Sequence, residues 1–209
     1  MKAYVIAMDN EAQCLIDNLK DAKEECIFGR RVIRGRHGCE DVIVIIAGVG
    51  ISNAAASTQL ALSLGAQEIA NFGVAGGIDP AMNVADIYQI SSAVQYGFDL
   101  VALNHTQMGT LNEYDSPYIA LSCEGEGKIV GSADRFNDSD IDYNTLVNLN
   151  ATIRDMELGA IAHVCRKTAV KCTAWKCISD VRGKGGDTPG QFAENLKKCL
   201  AVMTAYLRR

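Results

Sequence analysis

Five apolar residues in an unbroken row, Val42-Ile43-Val44-Ile45-Ile46, constrain this chain more than any other feature. A strand with one face in water alternates apolar and polar side chains. A strand without that alternation suits a sheet covered on both faces. The rest of the chain agrees. Runs from Ala3 to Met8, Glu68 to Phe72, Asp86 to Ala93, Lys128 to Ser132 and Thr173 to Ile178 read as further strands. Helical patterns fall between or after them, from Glu11 to Leu19, Ile51 to Leu64, Met156 to Lys167 and Phe192 to Leu207. The second of these is Ala-rich and closes at Gly65. Strands alternating with helices predict an α/β sandwich around a largely buried sheet. No linker, repeat or low-complexity segment interrupts the pattern. Residues 1–209 therefore read as a single domain. The stretches Asn104 to Pro117, Asp134 to Asp140 and the Gly-rich Arg182 to Gly190 read as loops, and long loops in compact domains are often functional.

Composition narrows the partners. The net charge is −5 and there is no basic stripe, which argues against nucleic acid. No apolar run approaches the roughly 20 residues a spanning helix needs, which argues against a membrane. The opening Met1-Lys2-Ala3-Tyr4-Val5-Ile6 reads as the first core strand, since a signal peptide needs a longer apolar region and a cleavage site. There are eight cysteines but no CxxC pair. Cys165 and Cys177 sit in apolar segments as small hydrophobes. Cys172 and Cys177 lack the His or second Cys pair that would complete a zinc site. The expectation is a reduced, cytoplasmic protein with no metal and no cofactor.

Two acids stand where a bland core would not place them. Glu157 opens a helix whose apolar part runs from Ala160 to Cys165, and Asp180 follows an apolar strand. Such positions need a partner or a use. The helix dipole is expected to keep Glu157 ionised. Asp180, in an apolar pocket, could hold a proton near neutral pH and serve as an acid. Asp9-Asn10-Glu11 reads first as a cap, with Asp9 or Asn10 at the N-cap, and second as a carboxylate at the end of a strand, where α/β sheets place their chemistry.

Two glycine clusters follow strands. Gly48-Val49-Gly50 has Asn53 where a dinucleotide fingerprint wants its third glycine, and a tight strand-to-helix turn accounts for it better. Gly73-Val74-Ala75-Gly76-Gly77 holds three glycines in five residues, equally a turn or a place where a ligand meets the backbone. His163, inside the apolar helix, reads as a packed or partly exposed histidine rather than a catalyst. His37 and His105 have no sequence partners, and no nucleophile elbow supports a Ser-His-Asp triad.

Met156-Glu157-Leu158-Gly159-Ala160-Ile161-Ala162-His163-Val164-Cys165, followed by Ile178-Ser179-Asp180, resembles the nucleoside phosphorylase family that includes the 5′-methylthioadenosine/S-adenosylhomocysteine nucleosidases. Ala7-Met8-Asp9-Asn10-Glu11 is similar to the nucleosidase opening, and Gly73-Val74-Ala75-Gly76-Gly77 to its Gly-Ser-Ala-Gly-Gly segment. Val84-Ala85-Asp86-Ile87 and Ser132-Ala133-Asp134-Arg135-Phe136 resemble two further motifs, in the right order over nearly the whole chain. The resemblance implies a nucleoside phosphorylase-like α/β/α sandwich with a mixed, barrel-like sheet flanked by helices, assembled as a homodimer. It implies cleavage of an N-ribosidic bond in a small-molecule nucleoside, with adenine released from 5′-methylthioadenosine or S-adenosylhomocysteine, a step of methionine salvage.

The residue roles follow from the same resemblance. Asp180 protonates the leaving purine and Glu11 activates water. Glu157 holds the ribose hydroxyls, Met156 packs under the ribose and Phe136 stacks on the base. Met8, Val49, Val74, Ala75, Gly76, Asn137 and Ser179 complete the binding set. Several positions depart from the family pattern: Val74 replaces a serine, Lys176 an arginine and Asn137 an apolar base contact, Gln95-Tyr96-Gly97-Phe98 stands for an Arg-Tyr-His-Asp segment, and Arg182 and Lys184 enter the loop that closes over the site. A phosphorylase would need basic residues at the site; here Glu11 would repel phosphate, and Gln95 stands where phosphorylases carry a mid-chain arginine. Water is the expected nucleophile. A non-catalytic nucleoside-binding homologue is the remaining alternative.

Overall fold

The computed structural model describes residues 1–136 and 138–208. In chain order the elements are β1 (Lys2–Ile6), α1 (Asp9–Ile16), β2 (Lys20–Ile27), β3 (Arg30–His37), β4 (Glu40–Ile46), α2 (Ile51–Ser63), β5 (Glu68–Gly77), β6 (Ile87–Val94), α3 (Val101–Asn104), β7 (Ile119–Ala120), β8 (Lys128–Ser132), α4 (Asp140–Asn148), β9 (Ile153–Asp155), α5 (Leu158–Thr168), β10 (Lys171–Val181) and α6 (Thr188–Leu207).

The strands form one mixed sheet with two parts. β5, β10, β6, β8 and β9 pair in a circle, because β5 contacts both β9 and β10. This closed ring is the barrel-like part, and it removes sheet edges. From β5 an open arm leads through β1 and β4 to the hairpin of β3 and β2.

The apolar run of β4 behaves as its pattern predicts. Ile43 and Ile45 pack in a cluster with Ala54 and Ala61 of α2. Val42, Val44 and Ile46 pack on the opposite side with Ala12 and Leu15 of α1 and with Leu207 of α6. Burying each such side chain contributes about 1.5–3 kcal/mol.

Several expectations change. The β2–β3 hairpin went unread because β2 (Lys-Asp-Ala-Lys-Glu-Glu-Cys-Ile) is almost wholly exposed and has no apolar face. The Asp134 to Asp140 stretch turns helical at Asp140, where the Ser139 hydroxyl accepts from Asp142 N and starts α4. The glycine segment 73–77 is neither a turn nor a loop: it is the end of β5, paired with β10. Asp180 therefore lies inside a strand, at a register shift between Ile178 and Asp180, rather than beyond its end.

Candidate functional site

The carboxyl ends of β1, β4, β5 and β10 open onto one cavity of about 390 Å³. Open parallel sheets place ligand sites at such ends. The cavity wall contains Met8, Glu11, Val49, Val74, Ala75, Gly76, Phe136, Met156, Glu157, Ser179 and Asp180. These are all the catalytic and binding residues that the resemblance implied except Asn137, which lies outside the described residues. Ala7, Arg135, Arg154, Asp155 and Phe192 line it as well.

Glu11 is buried in the first turn of α1. Its Oε2 accepts from Met8 N at 3.0 Å and its Oε1 from Val74 N at 2.7 Å. The helix is thus capped by Glu11 itself, with Met8 at the N-cap; Asp9, expected to cap, instead pairs with Arg31. Gly73 makes the approach possible, since a Cβ there would stand 2.7 Å from Glu11 Oε1. Burial pushes the Glu11 carboxyl up to about 7, against the Val74 hydrogen bond and the Lys176 charge.

Glu157 occupies the N-cap of α5. Its Oε1 accepts from Gly50 N at 3.0 Å, across the strand-to-helix turn that Gly48-Val49-Gly50 makes as expected. Burial, then the neighbouring Asp155 charge, push the Glu157 carboxyl up, while Lys176 and the Gly50 and Met156 N–H groups oppose that push. The α5 donors go elsewhere. Leu158 N donates to Asp155 Oδ2 at 3.0 Å, and Gly159 N donates to Ser132 Oγ at 2.8 Å.

Asp180 is 1% exposed. The register shift in β10 turns it inward, the kind of re-aiming that bulges perform next to functional sites. Ser179 Oγ donates to its Oδ1 at 2.8 Å, and Arg154 lies 3.4 Å from its Oδ2. Burial pushes the Asp180 carboxyl up, while Ser179 and Arg154 oppose that push. Gly76 leaves the room: a Cβ would sit 2.7 Å from Asp180 Oδ2 and 2.8 Å from Arg154 Nε.

Behind these acids lies a second tier of charges. Lys176, 1% exposed, pairs with Asp155 Oδ2 at 2.7 Å. Burial opposes its charge, but Asp155 and Glu157 hold the ammonium above its ordinary range. Ser132 Oγ donates to Asp155 as well. At the other end, Arg154 donates to Thr188 Oγ1 at 2.7 Å and reaches Asp138 at 3.5 Å. Asp138 accepts from Thr188 N at 2.8 Å; burial would raise its carboxyl, but Thr188 and Arg154 hold it below its ordinary value. Among the described residues, Glu11, Asp138, Asp155, Glu157 and Asp180 thus face two buried cations, Lys176 and Arg154. Such an excess of carboxylate suits a ligand that becomes positive.

The rim is apolar. Phe136 packs edge-on against Phe192 of α6 with ring centroids 5.4 Å apart. Arg135, also at the rim, is tied to Asp142 at 2.6 Å. Arg182 joins Asp140 and covers the Tyr143 ring, and Lys184 donates to Met82 O. His163 is partly exposed, with Tyr114 OH 3.1 Å from its Nδ1 and Glu113 nearby.

The phosphorylase superfamily model matches residues 2–209. The chain belongs to this superfamily. A 5′-methylthioadenosine/S-adenosylhomocysteine nucleosidase of Marinomonas sp. (strain MWYL1) is 29% identical over 91% of this chain and 89% of its own length. Two solved structures share the superfamily fold. The Helicobacter pylori 5′-methylthioadenosine/S-adenosylhomocysteine nucleosidase with butyl-thio-DADMe-Immucillin-A has a TM-score of 0.89 and 23% identity over 99% of this chain and 95% of its own. The futalosine hydrolase of Helicobacter pylori strain 26695 has a TM-score of 0.88 and 22% identity over 99% and 95%. The mixed sheet with its closed ring is thus the superfamily's architecture. Among the described residues no helix is long and apolar enough to cross a membrane.

Arg154, Asp155, Asp138 and Thr188 escaped the sequence reading. A charged pair squeezed between Ile153 and Met156 was the available signal for the first two. Asp138 and Thr188 had none, because they meet Arg154 only across the fold.

Proposed function

We propose that this superfamily member is a nucleoside N-ribosyl hydrolase acting on 5′-methylthioadenosine/S-adenosylhomocysteine-type nucleosides, releasing the base and a ribose product. The observation that carries the reading is three buried acids from three separate elements facing one cavity: Glu11 from α1, Glu157 at the start of α5 and Asp180 from β10. Asp180, with its carboxyl raised, can carry a proton to the leaving base. Glu11, near 7, is poised to accept a proton from water at neutral pH. Glu157 accepts the ribose hydroxyls and favours the positive charge that develops on the ribosyl ring. Met156 floors the sugar, and the Phe136–Phe192 pair offers an aromatic face to the base or the 5′ substituent. The name of the Marinomonas relative and the ligand in the Helicobacter structure fit this substrate class.

Water rather than phosphate is favoured by where the backbone donors go. Val74 N is committed to Glu11, Gly50 N to Glu157 and Ile51 N to Asp134. These are the N–H groups that would otherwise cradle an anion at the start of α2 and beside β5. Base release from a nucleoside panel, with and without phosphate, tests the reading. Release independent of phosphate is expected. Strict dependence on phosphate would make it a phosphorylase, and tight nucleoside binding without turnover a binding protein.

A further inference from the structure

Arg154 is a cation built into the cavity wall beside the proposed acid. It is 8% exposed and comes from β9, while Asp180 comes from β10. The guanidinium is fixed before any ligand arrives, by Thr188 at the start of α6 and by Asp138 ahead of α4. A fixed guanidinium offers donors only. A protonated Asp180 offers a donor to the base next to it. The wall therefore presents two adjacent donors.

Purine edges differ in what they offer such a pair. A 6-aminopurine shows an acceptor at N7 and a donor at its amino group; a 6-oxopurine shows acceptors at both N7 and O6. With a 6-aminopurine, the amino hydrogens would point at the guanidinium. With a 6-oxopurine, N7 takes the Asp180 proton and O6 takes a hydrogen bond from Arg154. The cation also stabilises electron density that moves onto O6 as the base departs.

Resting on the hydrolase reading, we propose that Arg154 is a specificity-determining residue that makes 6-oxopurine nucleosides substrates of this site. In the step, an oxygen–C1′ bond forms from water and the C1′–N9 bond breaks, its electron pair entering the purine ring. N7 takes the proton of Asp180, and Glu11 takes a proton from the water. Solvent exchange returns a proton to Asp180 and removes one from Glu11.

The test compares 5′-methylthioinosine with 5′-methylthioadenosine in phosphate-free buffer, reading kcat/KM for hypoxanthine and adenine release. The wild type is expected to release hypoxanthine with kcat/KM within about tenfold of that for adenine, or above it. In Arg154→Leu the ratio of hypoxanthine to adenine release should fall at least about tenfold, the scale of one well-placed contact to a base edge. Arg154→Lys, which keeps a charge in place if the leucine variant fails to fold, should lower the ratio less. Adenine release without hypoxanthine release by the wild type would overturn the role of Arg154 and leave the hydrolase reading standing. So would an unchanged ratio in a folded Arg154 variant. No base released from either nucleoside would overturn both.

Discussion

The open arm and the closed ring of the sheet treat charge in opposite ways. On the arm, β2 and β3 carry a ladder of pairs, Arg31 with Glu24, Arg34 with Glu25 and Arg36 with Asp21, all of them in water. In and around the ring, Lys176 with Asp155 and Arg154 with Asp180 are buried, and the carboxyls of Glu11, Glu157 and Asp180 are pushed up. Exposed pairs can be rearranged with little consequence because water substitutes for either partner. Buried ones leave an uncompensated charge when a partner is lost. The difference teaches where this chain keeps its chemistry: at acids held away from water by strands that close on themselves.

The sharpest way to break the contrast is Asp180→Asn. The amide can accept from Arg154 and donate to Ser179 Oγ, so both present partners stay satisfied and the fold should survive. Base release should fall by about 10²–10⁴-fold, the usual contribution of a positioned acid. Steady-state kinetics and circular dichroism check it together. A folded variant with wild-type rates would remove Asp180 from the reaction.

Lys176→Met comes next. It removes the ammonium that faces Asp155 and leaves a buried carboxylate with Leu158 N and Ser132 as its remaining donors. Breaking a buried pair from one side costs about 3–5 kcal/mol. Denaturant unfolding should show that loss. A loss under 1 kcal/mol would mean that the buried tier behaves like the surface ladder.

How much of this was legible depended on apolar patterning. β1, β4, β5, β6, β8 and β10 announced themselves through their apolar runs, and Glu157 and Asp180 through being acids in apolar surroundings. The catalytic and binding residues that the resemblance implied meet at one cavity, Asn137 aside. The β2–β3 hairpin was invisible because its first strand is bathed in water and has no periodicity to read. The glycines of β5 looked like a turn because their reason is spatial: Gly73 makes way for Glu11, and Gly76 for Asp180 and Arg154. Where the first α5 donors go was not legible either, since Leu158 N and Gly159 N serve Asp155 and Ser132, which come from β9 and β8.

Glu11 lets the contrast be followed with pH. Its carboxyl rises from an ordinary value of 4.5 to about 7 on folding. The folded protein therefore holds this proton more tightly than the unfolded chain. That stabilisation is fully present below pH 4.5 and lost as pH rises through 7, a swing of about 3 kcal/mol at 1.36 kcal/mol per unit. Glu11→Gln removes it. The variant's stability curve should lack this fall between pH 4.5 and 7, while its base release drops because Gln cannot take a proton from water. Urea unfolding across that range reads the slope. Parallel curves for wild type and variant would mean that Glu11 keeps an ordinary carboxyl in the fold.

The smallest effect belongs to the arm. Arg34 and Glu25 meet at 2.9 Å, but their side chains are 40% and 47% exposed. Water solvates both ends before and after any substitution, and salt screens what attraction remains. A double-mutant cycle of Arg34→Ala and Glu25→Ala should give a coupling below about 1 kcal/mol, shrinking further in high salt. The same cycle on Lys176 and Asp155 should give a larger coupling that salt barely changes, because neither group meets the solvent ions. Were the two couplings equal, burial would not be what separates the ring from the arm. The excess of acids in the cavity would then need a cause other than exclusion of water.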